Sequence, residues 1–521
     1  MADDIILVID VGTTSARSLL FDREFRMVAS SAREYQNSYP GPFLVEQDPD
    51  VWWRAATEVS KEAMEAKPSG SGVAAVIVTS QRATVIPVDK NGRALRPAIL
   101  WQDNRSMPQC RRIRETVGTA EIYKRTGLKI NPYFSLPKIL WIKEHEPETF
   151  EATHKFLLVH DFILHRLTER FVTDQSHASR TMAYNLRRRW DEDILGAVGV
   201  DATKFCRAVP SGERVGAVSA GAARLTAIPE GTPVFAGAGD QQAAAVGMGI
   251  VVAGTFMANT GTGSFVLSPL NEPVLDPQER VLCTISAVPG KWLQEAGMYT
   301  TGSVYRWFRD QMSTKEVETA RERGLDPYDL LNEQASTAPV GSSGVMWIPH
   351  FTGSLAPYWN PISKGVLFNL SLGTTRAEVI RALLEGIAIE VGKNISIMEE
   401  IGGKAREIRV AGGATKSPFF NQVQADVYGT RVVTTNFAEA TGLGAALLAA
   451  PSLGWHPSLE KAVDKVVQVV SRYEPYQDAH VRYKELAKLH HELYRTLQEG
   501  GIFENAAALS EKLGAGGPGK G

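Results

Sequence analysis

Two Gly/Thr-rich turns of one kind, placed roughly half a chain apart, constrain the fold of this sequence more than any other feature. The first reads Asp10-Val11-Gly12-Thr13-Thr14-Ser15; it is entered from the apolar run Ile5 to Ile9 and left through Ser18-Leu19-Leu20-Phe21. The second reads Asn259-Thr260-Gly261-Thr262-Gly263-Ser264; it is entered from Thr255-Phe256-Met257 and left through Phe265-Val266-Leu267. Each predicts a β-hairpin whose turn offers backbone N–H groups and hydroxyls to an anion. Two such hairpins in one chain predict a duplicated fold that grips a nucleotide from both sides, and hence phosphoryl transfer. Neither turn is a Walker loop, because no Gly-Lys-Ser/Thr follows at the required spacing. Neither is a dinucleotide fingerprint, since no G-x-G-x-x-G opens a helix after a strand.

At 521 residues the chain exceeds what one hydrophobic core serves, so two domains are expected. With 44% hydrophobic and 22% charged residues it reads as an ordinary globular protein. A formal net charge of −2 gives no electrostatic case for binding nucleic acid. No run approaches the ~20 apolar residues of a membrane span, and the start, Met1-Ala2-Asp3-Asp4, lacks the basic region of a signal peptide. Cys110, Cys206 and Cys283 form neither a metal-ligand pattern nor a disulfide framework. Buried or incidental thiols in a cytoplasmic setting are expected, with no nucleic-acid or membrane partner; a homodimer or homotetramer is compatible with the sequence.

Along the chain, Asp48-Pro49-Asp50 predicts the capped start of a helix over Pro49 to Glu65. Val73 to Thr79 is a β-branched run that reads as a buried strand. Ile122 to Glu146 looks helical apart from Asn131-Pro132, and Pro233 to Gly237 is a short apolar strand leading to Gly239-Asp240 and an Ala-rich helix. A boundary near Val251 to Gly254 divides the chain into domains 1–252 and 253–521. Beyond it come a helix at Arg376 to Glu400, a strand at Glu407 to Val410, a helix at Ser417 to Tyr428, a strand at Arg431 to Thr434 and an Ala-rich helix at Thr441 to Ala450. This alternation predicts α/β layers in both halves. The Gly-rich stretch 514–521 predicts a disordered tail.

Transfer of a phosphoryl group from ATP to an alcohol needs an acid to hold Mg²⁺, donors for the phosphate oxygens and a base near the attacking hydroxyl. Asp10 closes the first strand where the turn begins. A carboxylate there repels phosphate unless a divalent cation lies between them, which suits an Mg²⁺ anchor acting through water; a turn-capping Asp is the plainer alternative. Thr13, Thr14 and Arg17 add hydroxyls and a guanidinium on the same side, although Arg17 can equally be a surface arginine. Asp240 stands at a strand's carboxyl end and a helix's N-terminus, where α/β folds place catalytic groups. It can act as general base or simply as an N-cap. Thr79-Ser80-Gln81-Arg82 and Trp101-Gln102-Asp103-Asn104-Arg105 each follow a strand and read as parts of a sugar or polyol pocket. Trp101 supplies a flat apolar wall, and Arg82, Asp103 and Tyr133 supply polar groups.

With these residues assembled, the chain resembles the FGGY carbohydrate kinases of the actin, hexokinase and heat-shock ATPase superfamily over nearly its whole length. The stretch from Tyr133 and Ser135 through Lys138, Trp141 and Ile142 to Glu144-His145 matches the family's first signature. The second appears as Gly365, Leu367, Asn369 and Leu370, continuing through Glu378-Val379 to Glu385, with Asn369 where the signature expects glycine. The resemblance implies two actin-like (ribonuclease H-like) α/β domains, each a mixed sheet flanked by helices, with a nucleotide cleft between them. It implies sugar on the N-terminal side and nucleotide on the C-terminal side. It makes Asp240 the catalytic base and Asp10 the acid near Mg²⁺, with Asp240 also close to the metal. Thr13, Thr14, Ser15, Arg17, Thr262, Gly302, Arg306, Gly412, Gly413 and Ser417 fall on nucleotide-side positions. Arg82, Ala83, Trp101, Asp103, Tyr133, Asp240, Gln241 and Phe265 fall on the acceptor side.

Within the family the glycerol kinases look close, through Asn131 to Ser135, Ser179 to Met182, Gly239 to Ala243 and Ala356 to Trp359. They carry Arg-Glu where this chain has Arg82-Ala83, and that glutamate binds two substrate hydroxyls. Loss of a buried charge-assisted acceptor typically costs ~1.5–3 kcal/mol. The space left by Ala83 implies an acceptor larger than glycerol, such as a ketopentose like xylulose or a four- to five-carbon polyol. Xylulose kinases show Met-His-Gly near this point, which Gln81-Arg82-Ala83 does not match. A glycerol kinase that tolerates Ala83 and a non-kinase, nucleotide-gated binding protein of the actin-like class are the alternatives.

Overall fold

The apolar run at the start of the chain becomes the strand Ile5–Val11, which is buried on both faces and therefore sits in the middle of a sheet. A computed structural model describes residues 4–436 and 439–514. It divides into two compact units. The first gathers the residues up to Ala253 with Pro269–Leu293 and Glu439–Gln468; the second gathers Gly254–Ser268, Gln294–Ala438 and the chain from Val469.

In the first unit the sheet runs in the order Arg214–Ala217, Pro233–Gly239, Val73–Ser80, Ile5–Val11, Ser15–Phe21, Met27–Glu34. Ile5–Val11 is antiparallel to Ser15–Phe21 and parallel to Val73–Ser80, which is in turn parallel to Pro233–Gly239. Strand period two gives the sheet two apolar faces. Leu7, Ile9, Leu20, Val76 and Val78 share a core with Trp52, Val59 and Phe162 from the helices Pro49–Glu65 and Val159–Thr168. Leu19 and Phe21 face the opposite way, toward Gly442 in the helix Ala440–Ala449. That helix packs along Asp240–Gly247, and both are built from Ala and Gly, which lets their backbones approach closely. The Pro49–Glu65 helix starts as its sequence requires, with the Asp48 carboxylate accepting from the Asp50 N–H at 3.0 Å.

The second unit repeats the strand order. Trp292–Met298, Ser264–Leu270, Thr255–Thr260, Glu407–Ala411, Val432–Thr435 and Val469–Tyr473 follow one another as six of the seven strands of its sheet. The hairpin is again antiparallel, the next two pairings are parallel and the last is antiparallel. Its core gathers Leu383, Ile387, Phe420 and Tyr483 from the helices Arg376–Gly402, Pro418–Tyr428 and Gln477–Glu499. Thr375 and Glu378 close the first of these helices with a reciprocal capping box. The duplication read from the two turns is therefore a duplication of the whole sheet.

Three sequence readings change in detail. The chain crosses between units beside the expected boundary, at Ala253 to Gly254, but it then returns twice to the first unit, through Pro269–Leu293 and through Glu439–Gln468, the second time because Ala440–Ala449 has its small-residue partner there. The helical stretch expected over Ile122 to Glu146 is two helices, Thr119–Thr126 and Ser135–His145; the first ends at Gly127 in the left-handed region. The last helix runs Ile502–Gly514, so the expected tail lies, beyond Gly514, outside the described residues. All three cysteines are buried free thiols. Among the described residues no helix is long and apolar enough to cross a membrane.

Candidate active site

Three parallel strand ends in the first unit deliver the acidic centre. The register sets Asp10 beside Thr79 on one side and Arg17 on the other, so the acid faces the end of the Thr79-Ser80-Gln81-Arg82 run. Asp240 opens its helix immediately after Gly239, and its Oδ1 lies 3.2 Å from Arg82 Nε and accepts from the Gln241 N–H at 2.7 Å. Arg82 also donates to Gln242 Oε1 at 3.2 Å. This arrangement needs glycine at 239, where an added Cβ would stand 2.6 Å from Arg82 Cδ. Arg82 is buried, while the Asp240 side chain keeps 32% of its exposure and remains open to a ligand.

The charges are unbalanced. Burial first, and then the Asp240 carboxylate, push the Asp10 carboxyl up to about 7; Arg17 opposes the shift and Glu439 adds to it. Arg17 is itself tied to Glu439 at 2.9 Å, with both side chains more than 40% exposed, so the pair can be exchanged for a ligand at little cost. A buried carboxylate whose proton affinity is raised by a second one beside it fits a divalent cation held between the two.

A buried polar network holds the strand ends from beneath. Asp174 bonds His177 Nδ1 at 2.6 Å, His177 Nε2 meets Ser80 Oγ at 3.1 Å, and Ser176 Oγ bonds both Asp174 and the Gly239 N–H. Burial alone would raise the Asp174 pKa, but the hydrogen bond and charge of His177 outweigh it and hold Asp174 at about 2. Ser80 and Gly239 directly precede Gln81-Arg82 and Asp240, so the network fixes where both chains emerge.

Trp101 and Tyr133, from which an acceptor pocket was expected, lie side by side. Trp101 and Tyr133 have ring centroids 5.4 Å apart, and the Trp101 indole donates to Thr13 Oγ1 at 3.0 Å. Thr13 thus fastens the wall to the first turn, with Thr14 and Ser15 beside it in the hairpin. Gln241 Oε1 is buried without a hydrogen-bond partner among the described residues, an acceptor left for a ligand. Ala83 is fully buried with φ +65°, and its carbonyl accepts from Ser135 Oγ at 3.2 Å.

Asp103 does not take the position expected of it. It is wholly buried, with its oxygens committed to the Val45 and Arg105 N–H groups and to the Arg105 guanidinium, which also reaches Glu46 at 2.7 Å. It serves as an internal anchor for the loop that carries Trp101. Phe265 lies in the second unit, half-buried against Gly297.

In the second unit Thr262, Gly302, Arg306, Gly413 and Ser417 line one cavity of about 680 Å³, a size suited to a nucleotide-like ligand. The turn is bound to the next element by N–H groups of Gly302 and Ser303 donating to the carbonyls of Gly261 and Thr262. A Cβ at Gly302 would stand 2.2 Å from the Gly261 oxygen. Gly412, with φ +98°, turns the chain into the cavity's Gly413 edge. Ser417 caps the helix Pro418–Tyr428.

Sequence reasoning missed several contributors. Tyr305 and Tyr328, 5.0 Å apart on different helices, line the same cavity and offer a stacking surface. Tyr35 and Gln81 both donate to the Gly12 carbonyl and brace the first turn. Arg180 lies over the rings of Tyr133 and Phe134 at 5.4 and 5.1 Å. Lys138, wholly buried, donates to the carbonyls of Pro132, Tyr133 and Phe134, and burial pulls its amine down to about 7. Lys138 carried a signal through its place in the Tyr133 to His145 signature, Gln81 through the run that ends in Arg82, and Arg180 through the stretch Ser179 to Met182; Tyr35, Tyr305 and Tyr328 carried none.

Known proteins place this geometry. Residues 5–247 match the N-terminal domain, and residues 256–453 the C-terminal domain, of the FGGY family of carbohydrate kinases. The chain is 35% identical over 488 residues to a glycerol kinase of Thermococcus gammatolerans, an alignment that covers 92% of this chain and 95% of that protein. It is 29% identical over 495 residues to a gluconokinase of Bacillus subtilis, covering 95% and 96%. Among solved structures, a xylulose kinase from Rhodospirillum rubrum superposes with a TM-score of 0.88 at 27% identity, covering 96% of this chain and 100% of that one. The Asn369 departure from the signature has a structural account in φ +66°, a conformation that Gly or Asn can hold. With both domain matches in sequence and the paired sheets, acidic strand ends and lined cavity in place, the chain belongs to the FGGY family and is a carbohydrate kinase.

Proposed function

We propose that this kinase transfers the γ-phosphoryl group of ATP to a hydroxyl of a small sugar or polyol larger than glycerol. Residues of the first unit would hold the acceptor and those of the second the nucleotide. The observation that carries the reading is the Asp10–Asp240–Arg82 centre, where one carboxylate is driven up to about 7 by burial and by its neighbour. Asp10 and Asp240 would hold Mg²⁺ through water; when bound, the ion neutralises phosphate charge and spreads that of the transition state. Asp240, kept in place by Arg82 and the Gln241 N–H, accepts the proton of the attacking hydroxyl as its oxygen bonds to phosphorus. Trp101 and Tyr133 stack on the acceptor's carbon face, and Gln241 Oε1 accepts from one of its hydroxyls. Thr262, Gly302 and Gly413 present backbone to the phosphates, and Tyr305 with Tyr328 flanks the base.

Ala83 favours the larger acceptor, because it supplies no charge and little volume where a glutamate would pin a three-carbon polyol. The similarity to glycerol kinases favours glycerol as the second reading. A coupled ADP-release assay over glycerol, erythritol, ribitol, xylulose and gluconate separates the two. A four- to six-carbon acceptor exceeding glycerol at least tenfold in kcat/KM is expected. Glycerol leading by that margin would replace the proposal with the second reading, and ADP release insensitive to every acceptor would overturn both. Asp240→Asn should lower transfer by at least ~10²–10⁴-fold while leaving nucleotide affinity within threefold. Turnover within tenfold of the unmodified enzyme would remove Asp240 from the role of base.

A further inference from the structure

The second unit contains a cluster of ligating groups that the kinase reaction does not use and that lines no part of the nucleotide cavity. Glu390 lies in the middle of the Arg376–Gly402 helix and is fully buried. His490 and His491 sit side by side on the Gln477–Glu499 helix, and His350 follows the strand Met346–Ile348. His490 is fully buried, His350 is 3% exposed and His491 is half-buried. Glu390 Oε2, His350 Nε2, His490 Nδ1 and His491 Nε2 are all buried atoms without a hydrogen-bond partner among the described residues. Four orphaned polar atoms in one place are unusual, because such groups ordinarily find partners.

Their mutual geometry sharpens the problem. His490 Nδ1 lies 3.4 Å from Glu390 Oε1, and His350 Nε2 lies 3.4 Å from Glu390 Oε2. The ligand atoms of Glu390, His490 and His491 all fall within 4.8 Å of one another. His490 Nε2 is 2.7 Å from the Trp347 carbonyl, which only accepts, so this nitrogen carries the ring proton. In the neutral ring Nδ1 is then a lone pair facing a carboxylate oxygen. A lone pair and a buried carboxylate in contact are unfavourable unless a cation stands between them.

We propose that Glu390, His490 and His491 form a site for a transition-metal dication of the zinc type, with His350 against the second oxygen of the carboxylate. One carboxylate with imidazoles is a donor set that suits zinc and disfavours magnesium. Tetrahedral bonds of about 2.0–2.1 Å separate donor atoms by about 3.3–3.4 Å, which the 3.4 Å between His490 Nδ1 and Glu390 Oε1 matches, and the remaining donor atoms lie close enough to draw in around an ion. The Trp347 carbonyl gives His490 the outer partner that fixes the tautomer of a ligating imidazole, and the Tyr358 hydroxyl bonds Glu390 Oε1 at 3.4 Å. Entry is provided by a cavity of about 650 Å³ lined by His491, Tyr358, Tyr494, Lys393 and Lys488.

The test uses the full chain stripped with EDTA and titrated calorimetrically with ZnCl₂ in magnesium-free buffer. One zinc per chain is expected, with affinity lowered at least ~tenfold in His491→Ala and in Glu390→Gln. Because a core substitution can disturb folding, Co²⁺ is also added to the unmodified protein. An intense visible spectrum of four-coordinate cobalt is expected, bleached by a stoichiometric amount of Zn²⁺. Zinc uptake equal in the unmodified and His491→Ala chains, or only the weak spectrum of octahedral cobalt, would overturn the site. Either result would leave an imidazolium–carboxylate pair as the account of the cluster.

Discussion

Replacement of Asp10 by asparagine should stabilise the ligand-free protein while removing its activity, and the two effects have one cause. Folding raises the Asp10 pKa from 3.8 to about 7, because burial and Asp240 both penalise its charge. At 1.36 kcal/mol per unit, a shift of about three units sets a ceiling of about 4 kcal/mol. Asp10 keeps some contact with solvent, which screens the repulsion and reduces the gain to about 1–2 kcal/mol. The sign follows from proton counting. Between pH 4 and 7 the folded chain holds a proton that the unfolded chain has lost, so stability falls as pH rises through that window and is lowest above it. Asparagine, which cannot ionise, escapes the loss. Its advantage should be complete at pH 8, fall to about a third of that by pH 5, and vanish near pH 4. Thermal unfolding in EDTA reads this directly, with Asp10→Asn melting roughly 2–5 °C above the unmodified chain at pH 8. With MgATP and acceptor the variant should lose at least ~10³-fold in turnover, since nothing then offsets the phosphate charge beside the turn. A variant no more stable than the unmodified chain at pH 8, or equally favoured at pH 8 and pH 5, would refute the argument that two facing carboxylates await a cation.

Lys138→Met should cost about 2–4 kcal/mol in urea unfolding, because the carbonyls of Pro132, Tyr133 and Phe134 all lose the ammonium that gathers them, and it should raise the acceptor KM by loosening Tyr133. Ala83→Gly should add about 0.5–1 kcal/mol of stability in the same measurement, since φ +65° strains alanine and not glycine. Gly302→Ala should weaken ADP binding at least ~tenfold by equilibrium titration while leaving the acceptor KM unchanged, because its Cβ would stand 2.2 Å from the Gly261 carbonyl and displace the second turn.

The legible parts of the fold were those with local causes. Asp48-Pro49 fixed one helix to the residue, Pro49–Glu65, and the two hairpins fell where Gly and Thr clustered between apolar runs. The return of Ala440–Ala449 to the first unit was invisible, because its cause is a surface formed some 200 residues earlier by Asp240–Gly247. The site divides in the same way. Asp10, Asp240 and Arg82 could be named because strand ends and helix starts announce themselves in sequence, and the structure joins Arg82 to Asp240 directly. Asp103 misled because a carboxylate beside a tryptophan looks the same whether it faces a sugar or, as here, the Val45 N–H and Arg105. The Glu439 partner of Arg17 and the Tyr305–Tyr328 pair are products of tertiary packing, and no spacing rule points to them.

The duplicated sheet explains why one chain needs two kinds of strand end. Aligned by topology, Asp10 of the first turn corresponds to Asn259 of the second, since each precedes its turn on the hairpin's first strand. The parallel neighbour ends in Ser80-Gln81-Arg82 in one unit and in Ala411-Gly412-Gly413 in the other, and the next strand leads to Asp240 in one and ends at Thr435 in the other. Strand interiors cannot diverge in this way, because Leu7, Val8, Phe256 and Val410 are all buried in the cores that define the fold. Strand ends are free to vary, and at α/β strand ends a change of residue is a change of chemistry. The first unit has collected two carboxylates and a buried guanidinium, the set that on the proposed reading would hold a cation and take a proton. The second has kept a neutral amide and bare backbone, which on the same reading would receive phosphate without one. A fold with two equivalent sets of strand ends can therefore assign charge to one and hydrogen bonding to the other, and a kinase needs both.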